Sequence, residues 1–191
     1  AGAAALPVGG LTAWQALGSL ALPQGASLLV LGAGGGVGRA AVQLASLRGT
    51  TVITVVSADA IERSLELGAS NAVAATADWV SETRRSAPAG VDAILDLVGG
   101  ETLRRSIELI GDGGRIVTTR AEAATTTVPA GVAIDVVRMQ SRTADMAALA
   151  ALVDDDRLSM PVSRVRPLDD VSIVLDDVGG QRRPGKLVME P

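Results

Sequence analysis

The chain has 191 residues, 48% of them hydrophobic and 20% charged, which is enough to bury one sizeable core. A formal net charge of −4 argues against broad attraction to nucleic acid or anionic membrane. With no Cys, His, Tyr or Phe, the chain lacks the usual zinc ligands, any Cys or His nucleophile or base, and any tyrosine acid.

Every apolar run is interrupted by Gly, Pro or charge before it is long enough to cross a bilayer, and no secretory leader pattern opens the sequence, so a cytoplasmic setting is expected. Short β-branched runs alternate with helix-period segments, the pattern of a parallel sheet covered on both faces. Ser27 to Leu31 predicts a first strand, and Val37 to Leu47 a helix with Val37, Ala40, Ala41, Leu44 and Leu47 on one face. Thr51 to Val56 follows as a second strand, Ala60 to Leu67 as a helix stopped by Gly68, and Asn71 to Val73 as a short third strand.

Trp79 to Ser86 reads as a helix ending before Pro88, with Trp79 a packing residue. Asp92 to Val98 predicts strand four, Glu101 to Ile110 a helix, and Arg115 to Thr119 strand five after the turn Gly111-Asp112-Gly113-Gly114. Ala121 to Thr127, rich in Ala and Thr, reads as a mobile loop. Val132 to Val137 is a further strand, Thr143 to Val153 a helix, and Val162 to Val165 a short strand. Pro167 to Val178 reads as a helix begun by proline and ended by Gly179-Gly180, and Lys186 to Met189 as a last strand. The expected fold class is α/β, a Rossmann doubly wound parallel sheet with helices on both faces.

The strongest local signal is the run Gly32-Ala33-Gly34-Gly35-Gly36-Val37-Gly38 between the first strand and the first helix of the repeat. Glycines there let the backbone turn tightly and approach a pyrophosphate, whose charge the helix N-terminus favours. The frame ending on Gly38 begins with Ala33, so the motif is AxGxxG; a small residue still permits the turn. Ala33, Gly34, Gly35, Gly36, Val37 and Gly38 are therefore candidate cofactor-binding residues.

An acidic residue at the end of the second strand selects NAD by binding the ribose hydroxyls and repelling a 2′-phosphate. Ser57 occupies that position and tilts the reading towards NADP(H). Asp59 argues the other way if it faces the ribose, and is structural if it caps the helix beginning near Ala60; NAD(H) therefore stays open. Asp154-Asp155-Asp156 lacks the glycine and spaced ligands of a calcium loop, and no metal site is expected. The pairs Arg84-Arg85, Arg104-Arg105 and Arg182-Arg183 are scattered and read as solvated surface.

The segments Ala4 to Leu17 (AALPVGGLTAWQAL), Gly32 to Ala45, Leu67-Gly68-Ala69, Leu95 to Leu103 (LDLVGGETL), Gly113 to Val117 and Gly185-Lys186-Leu187-Val188 together carry a family resemblance. In order and spacing, the chain resembles the zinc-independent quinone oxidoreductase branch of the medium-chain dehydrogenase/reductase superfamily. That resemblance implies three parts: 1–20 as a helix connecting to an absent GroES-like catalytic domain, 21–150 as the Rossmann NADP(H)-binding domain, and 151–191 as a segment packing against the catalytic domain. It places Thr12 near the nicotinamide end of the cofactor, and passes the backbone of Val98 and Gly99 along the nicotinamide ring. It also implies a homodimer formed through an edge strand, for which Val132 to Val137 is the candidate.

Relatives that use NADPH often carry Arg or Lys just after the position of Ser57, and a Tyr near Ala75; this chain has Ala58-Asp59-Ala60 and no tyrosine, with Arg63, one helical turn on, either a substitute or a solvated surface residue. The reaction implied is hydride transfer from NADPH to a quinone or an α,β-unsaturated carbonyl, a small-molecule substrate. Within these residues the developing charge would meet only backbone donors, Thr12 or an arginine, and no acid or base is assigned. The rival reading is a non-catalytic nucleotide-binding or interaction module, with Leu6, Leu11, Trp14 and the last strand left as apolar surface awaiting a partner.

Overall fold

The computed structural model describes residues 2–174 and 185–191. Helices α1 (Gly2–Ala5) and α2 (Pro7–Leu20) lead into β1 (Ser27–Leu31), α3 (Gly36–Leu47), β2 (Thr51–Val56), α4 (Ile61–Glu66) and β3 (Asn71–Ala74). Then follow α5 (Trp79–Ser86), β4 (Val91–Asp96), α6 (Gly100–Ser106), β5 (Ile110–Thr118), β6 (Ala133–Val136), α7 (Thr143–Asp154), β7 (Val162–Pro167) and β8 (Lys186–Glu190).

Six strands form one sheet in the order β3-β2-β1-β4-β5-β6, every pairing parallel. This is the doubly wound arrangement expected of the alternating pattern. The chain leaves β1 for β2 on one side and later inserts β4 on the other, so a crevice opens beyond the carboxyl ends of β1 and β4.

Burial explains the unbroken apolar strands. Leu28 and Val30 of β1 join α2, α3 and α7 in one core, whereas Leu29 and Leu31 join Trp79 of α5 and Leu103 of α6 in a second core across the sheet. The four side chains from Leu28 to Leu31 are fully buried, each stabilising the fold by about 1.5–3 kcal/mol. Trp79 packs in the second core with the Arg105 guanidinium over its ring, 5.4 Å from the centroid.

Three segments depart from the sequence pattern. The helix expected to reach Ile110 stops at Ser106, continues as a 3-10 turn through Leu109, and gives way to β5 at Ile110. The turn Gly111 to Gly114 is absorbed into β5 as an irregularity, because pairing with β4 moves from Val91–Ile110 straight to Ala93–Arg115. The stretch read as a mobile loop holds a 3-10 turn over Ala121–Thr125, pinned by burial of Ala123. Beyond Pro167, which ends β7, Leu168–Asp170 is a 3-10 turn and positions 171–174 are helical. The remainder of that expected helix, with Gly179-Gly180 and Arg182-Arg183, lies outside the described residues.

Of the apolar positions expected to await a partner, several are buried within the chain itself. Leu6 and Leu11 are buried in the first core, and Trp14 is half-buried beneath Arg48, whose guanidinium lies 5.0 Å from the ring centroid. Val188 of the last strand is buried as well. Among the described residues, the edge strand β6 pairs only with β5.

The start of the sheet is tied by side chains. The Asp92 carboxylate accepts from both the backbone N–H and the hydroxyl of Ser27, each at 2.7 Å, and these bonds hold its pKa below the usual carboxylate value. A depressed native pKa gives stability that is complete above the unfolded value of about 3.9 and is lost as pH falls through the native one. Asp92→Asn should therefore flatten the loss of stability as pH falls below about 5, measured by denaturant unfolding across the acid range.

Candidate cofactor-binding site

The crevice is shaped first by what glycine leaves out. Gly32, at the end of β1, has φ +82°, and the Gly32 N–H donates to Val55 O while Gly35 N–H donates back to Gly32 O. That turn delivers the chain into α3 with extended Gly35 as its N-cap, and no side chain caps the helix. The first-turn N–H groups of α3 therefore face the crevice without a side-chain acceptor, the situation a phosphate satisfies.

Gly38 is required for space. A Cβ there would lie 2.5 Å from Ala33 Cα and 2.6 Å from Gly32 O, both backbone atoms that cannot swing aside. A Cβ on Gly35 would meet only Gly32 O at 3.6 Å, so the tip of the loop stays open. Ala33 is buried, whereas Gly34, Gly36 and Val37 are half-buried and Gly35 is exposed, which leaves backbone along the rim.

Other expected residues converge on this loop to different degrees. A Cβ on Gly32 would clash with Val98 Cγ2 at 2.8 Å, so the turn after β4 lies directly against the turn after β1. That second turn is built on Asp96, which sequence reading had quoted only as part of a motif. Its fully buried carboxylate accepts from the N–H groups of Val98 (3.0 Å) and Gly99 (2.8 Å) on one oxygen and from the Thr118 hydroxyl (2.6 Å) on the other. Gly99 then takes φ +78°, with its Cα facing the Arg120 side chain.

Thr12, expected near the nicotinamide end, sits on α2 with its hydroxyl turned to its own helix. It is buried, and its hydroxyl donates to Val8 O at 2.6 Å within α2, so its one proton is committed. What reaches the loop from α2 is Gly9, whose missing Cβ leaves room for Gly36 O and Met160 Cε.

At the end of β2, Ser57 is exposed and its side chain caps nothing. Asp59 also makes no capping bond: it sits inside a 3-10 turn over Ala58–Ala60, and neither that turn nor α4 has a side-chain cap. The capping role expected for Asp59 is therefore not the one it plays. Arg63 stands exposed and pairs with Glu66 at 3.0 Å.

Two cations that sequence reading had not assigned flank the loop. Arg39, in the first turn of α3, is buried to 8% exposure and donates from Nε to Gly34 O at 2.9 Å. Lys186, the single lysine, stands against Gly36, its Nζ 3.2 Å from where a Cβ would be. Neither has an anionic partner among the described residues. They line a cavity of about 110 Å³ with Gly34, Gly35, Gly36, Met160, Pro161 and Gly185.

The outer wall of that cavity is held by Gln43. Its amide donates to Ser159 O and accepts from Ser159 N–H, clamping the segment before β7 onto α3. Lys186 N–H in turn donates to Pro161 O, which seats β8 beside the same segment.

The uncapped helix, the glycine cradle and the switch-point crevice together fit the phosphates of a dinucleotide. Comparison with known proteins agrees: residues 67–189 match the model of a family described as zinc-binding dehydrogenase. The chain belongs to the zinc-binding dehydrogenase family. Members of this family, within the medium-chain dehydrogenase/reductase superfamily, bind nicotinamide cofactors in their dehydrogenase domain. A quinone oxidoreductase from Coxiella burnetii superposes with a TM-score of 0.85 at 30% identity, over 98% of this chain and 60% of that one. An NAD-dependent alcohol dehydrogenase from Sulfolobus acidocaldarius is 27% identical over 98% of this chain and 57% of its own length. A human synaptic vesicle membrane protein VAT-1 homolog is 38% identical over 61% of this chain and 30% of its own length. The chain thus spans between about a third and three-fifths of these relatives.

Two substitutions test the construction of this dehydrogenase fold. Gly38→Ala should cost about 1–3 kcal/mol through overpacking against the β1 backbone, and should abolish cofactor binding in a fluorescence titration. Asp96→Ala should cost about 2–4 kcal/mol in denaturant unfolding, because two N–H groups and a hydroxyl lose their acceptor.

Proposed function

We propose that this chain is the NADP(H)-binding portion of a zinc-independent oxidoreductase that transfers hydride to a quinone or an α,β-unsaturated carbonyl compound. The observation that carries the reading is the uncapped first turn of α3, where backbone N–H groups, a glycine cradle and the Lys186 ammonium face one space. When bound there, the nicotinamide cofactor supplies the hydride, and this chain supplies position and electrostatics.

Each part has a separate task in this reading. The backbone from Ala33 to Gly38 holds the pyrophosphate. Val98 and Gly99, fixed by Asp96, border the nicotinamide end. Charge developing on the reduced substrate meets backbone donors of this chain, since the Thr12 proton is engaged with Val8 O. With neither Cys nor His present, these residues contribute no usual zinc ligands to the transfer. The other wall of the cleft belongs to a GroES-like domain, consistent with the greater length of the relatives.

Exposed Ser57, with no acidic residue at the end of β2, favours NADP(H). A second reading, NAD(H), rests on Asp59, whose carboxylate is exposed and uncommitted to any cap.

Titrating the chain with NADPH and NADH and following nicotinamide fluorescence tests the reading. Binding of NADPH below millimolar concentration, tighter than NADH, is expected. Binding of neither removes the cofactor role, and tighter NADH binding assigns Asp59 to the ribose. Quinone reduction by the protein with its GroES-like domain tests catalysis; inactivity with cofactor bound would make the chain a binding module.

A further inference from the structure

NADP(H) differs from NAD(H) by one phosphate on the adenosine ribose, and this chain lacks the basic residue directly after β2 that commonly receives it. The charge near β2 comes from elsewhere. A Cβ on Gly34 would lie 3.6 Å from Ala60 Cβ, so the loop and the turn following β2 are in contact at that point. The Arg39 side chain reaches back along α3 to the same residue, with its Nε on Gly34 O. Arg39 is thereby tied to the loop residue that lies against the turn after β2.

No buried side-chain nitrogen or oxygen among the described residues lacks a hydrogen bond, and the only bond of the Arg39 head is made by Nε. Both Nη groups are therefore open to solvent beside the loop, without a protein acceptor among the described residues and free to take the oxygens of a ligand.

We propose that Arg39 is a specificity residue for the 2′-phosphate, which it would grip from the α3 side while Ser57 and Arg63 meet it from the β2 side. This rests on the nicotinamide-cofactor reading above and names the residue that would select between its two forms. The arrangement is suited to a dianion. Arg39 is buried, and the nearby positive charge of Arg63 acts on it: burial first, and that charge second, lower its pKa from the ordinary arginine value. The guanidinium stays protonated at neutral pH, so the repulsion persists until an anion enters. Glu66 offsets Arg63 alone, and Arg39 has no anionic partner among the described residues. A planar guanidinium fixed at Nε presents two parallel N–H donors, the geometry that takes two phosphate oxygens at once.

Lys186 provides the internal contrast. It stands against Gly36, the first residue of α3, where its charge would serve cofactor phosphates common to both nucleotides.

The test is to measure binding of NADPH, NADH and 2′,5′-ADP by the full chain and by Arg39→Gln, Arg39→Lys, Arg63→Gln and Lys186→Gln. Arg39→Gln should weaken NADPH and 2′,5′-ADP at least about tenfold, the scale of one charge-assisted hydrogen bond, and leave NADH within about twofold. Arg39→Lys should recover part of the loss. Arg63→Gln changes an exposed side chain and leaves the fold intact, and it should show the same selectivity in smaller measure. Lys186→Gln should weaken NADPH and NADH alike.

Equal weakening of both nucleotides by Arg39→Gln, or no weakening, would overturn the proposal. If Arg39→Gln fails to fold, an unselective Arg63→Gln overturns it. Wild-type chain that binds NADH, with NADPH no tighter, refutes the specificity role and leaves the cofactor reading standing. Wild-type chain that binds neither refutes both.

Discussion

A methyl group at position 38 would have to share space with the Cα of Ala33 and the carbonyl oxygen of Gly32. This exclusion lets α3 begin immediately against β1, and the rest of the crevice is built outward from it. Because the helix starts so close to the strand, its first-turn N–H groups point into the switch-point opening and not into a covering loop. Val98 then meets Gly32, Gly9 of α2 meets Gly36, and Ala60 meets Gly34, so three further elements are placed by one tight turn. A longer connection would leave each of them without a fixed surface to approach.

Polar side chains buried at the margins do the remaining positioning. Asp96 folds the backbone after β4 around its carboxylate, and Gln43 fixes the segment after α7 to the outer side of α3. Both are groups whose burial is costly unless every bond is made, so each has only one arrangement of its surroundings that satisfies it. The site's shape thus depends on a few obligatory hydrogen bonds laid over a non-specific apolar core.

The fold was legible where local pattern and burial agree. The limits of β1 and β2 follow from apolar runs bounded by Gly, Thr or Ser, α5 ends before Pro88, and parallel pairing follows from the alternation of strands and helices. It was less legible where the pairing strand decides the outcome. Gly111 to Gly114 carries the composition of a turn, yet Ile110 already pairs with Val91, and only the register of β4 reveals it. Likewise Ala121 to Thr125 has little to mark it as ordered except burial of one alanine.

The glycine loop was readable from its place between strand and helix. Arg39 was not, because an arginine in a helix is ordinarily solvated, and Met160 and Pro161, which line the cavity with it, are remote in sequence. Lys186 was quoted only as part of a motif, since nothing local says that β8 returns to the first turn of α3. Asp59 misled for the opposite reason: it stands where caps occur, but the 3-10 turn it occupies needs none. Thr12 was placed correctly on its helix, while its bond to Val8 O could be seen only in three dimensions.

The return of Lys186 to Gly36 also bears on the order in which the molecule is made. The cradle from Gly32 to Gly38 leaves the ribosome long before the strand that carries its facing ammonium group. A growing chain therefore holds the backbone half of the pocket without that cation, and a nucleotide has less to grip until β8 has joined β7. Cofactor would thus act on a six-stranded sheet already assembled, as a late fastener between α3 and β8, and would contribute little as a template for the early βα units.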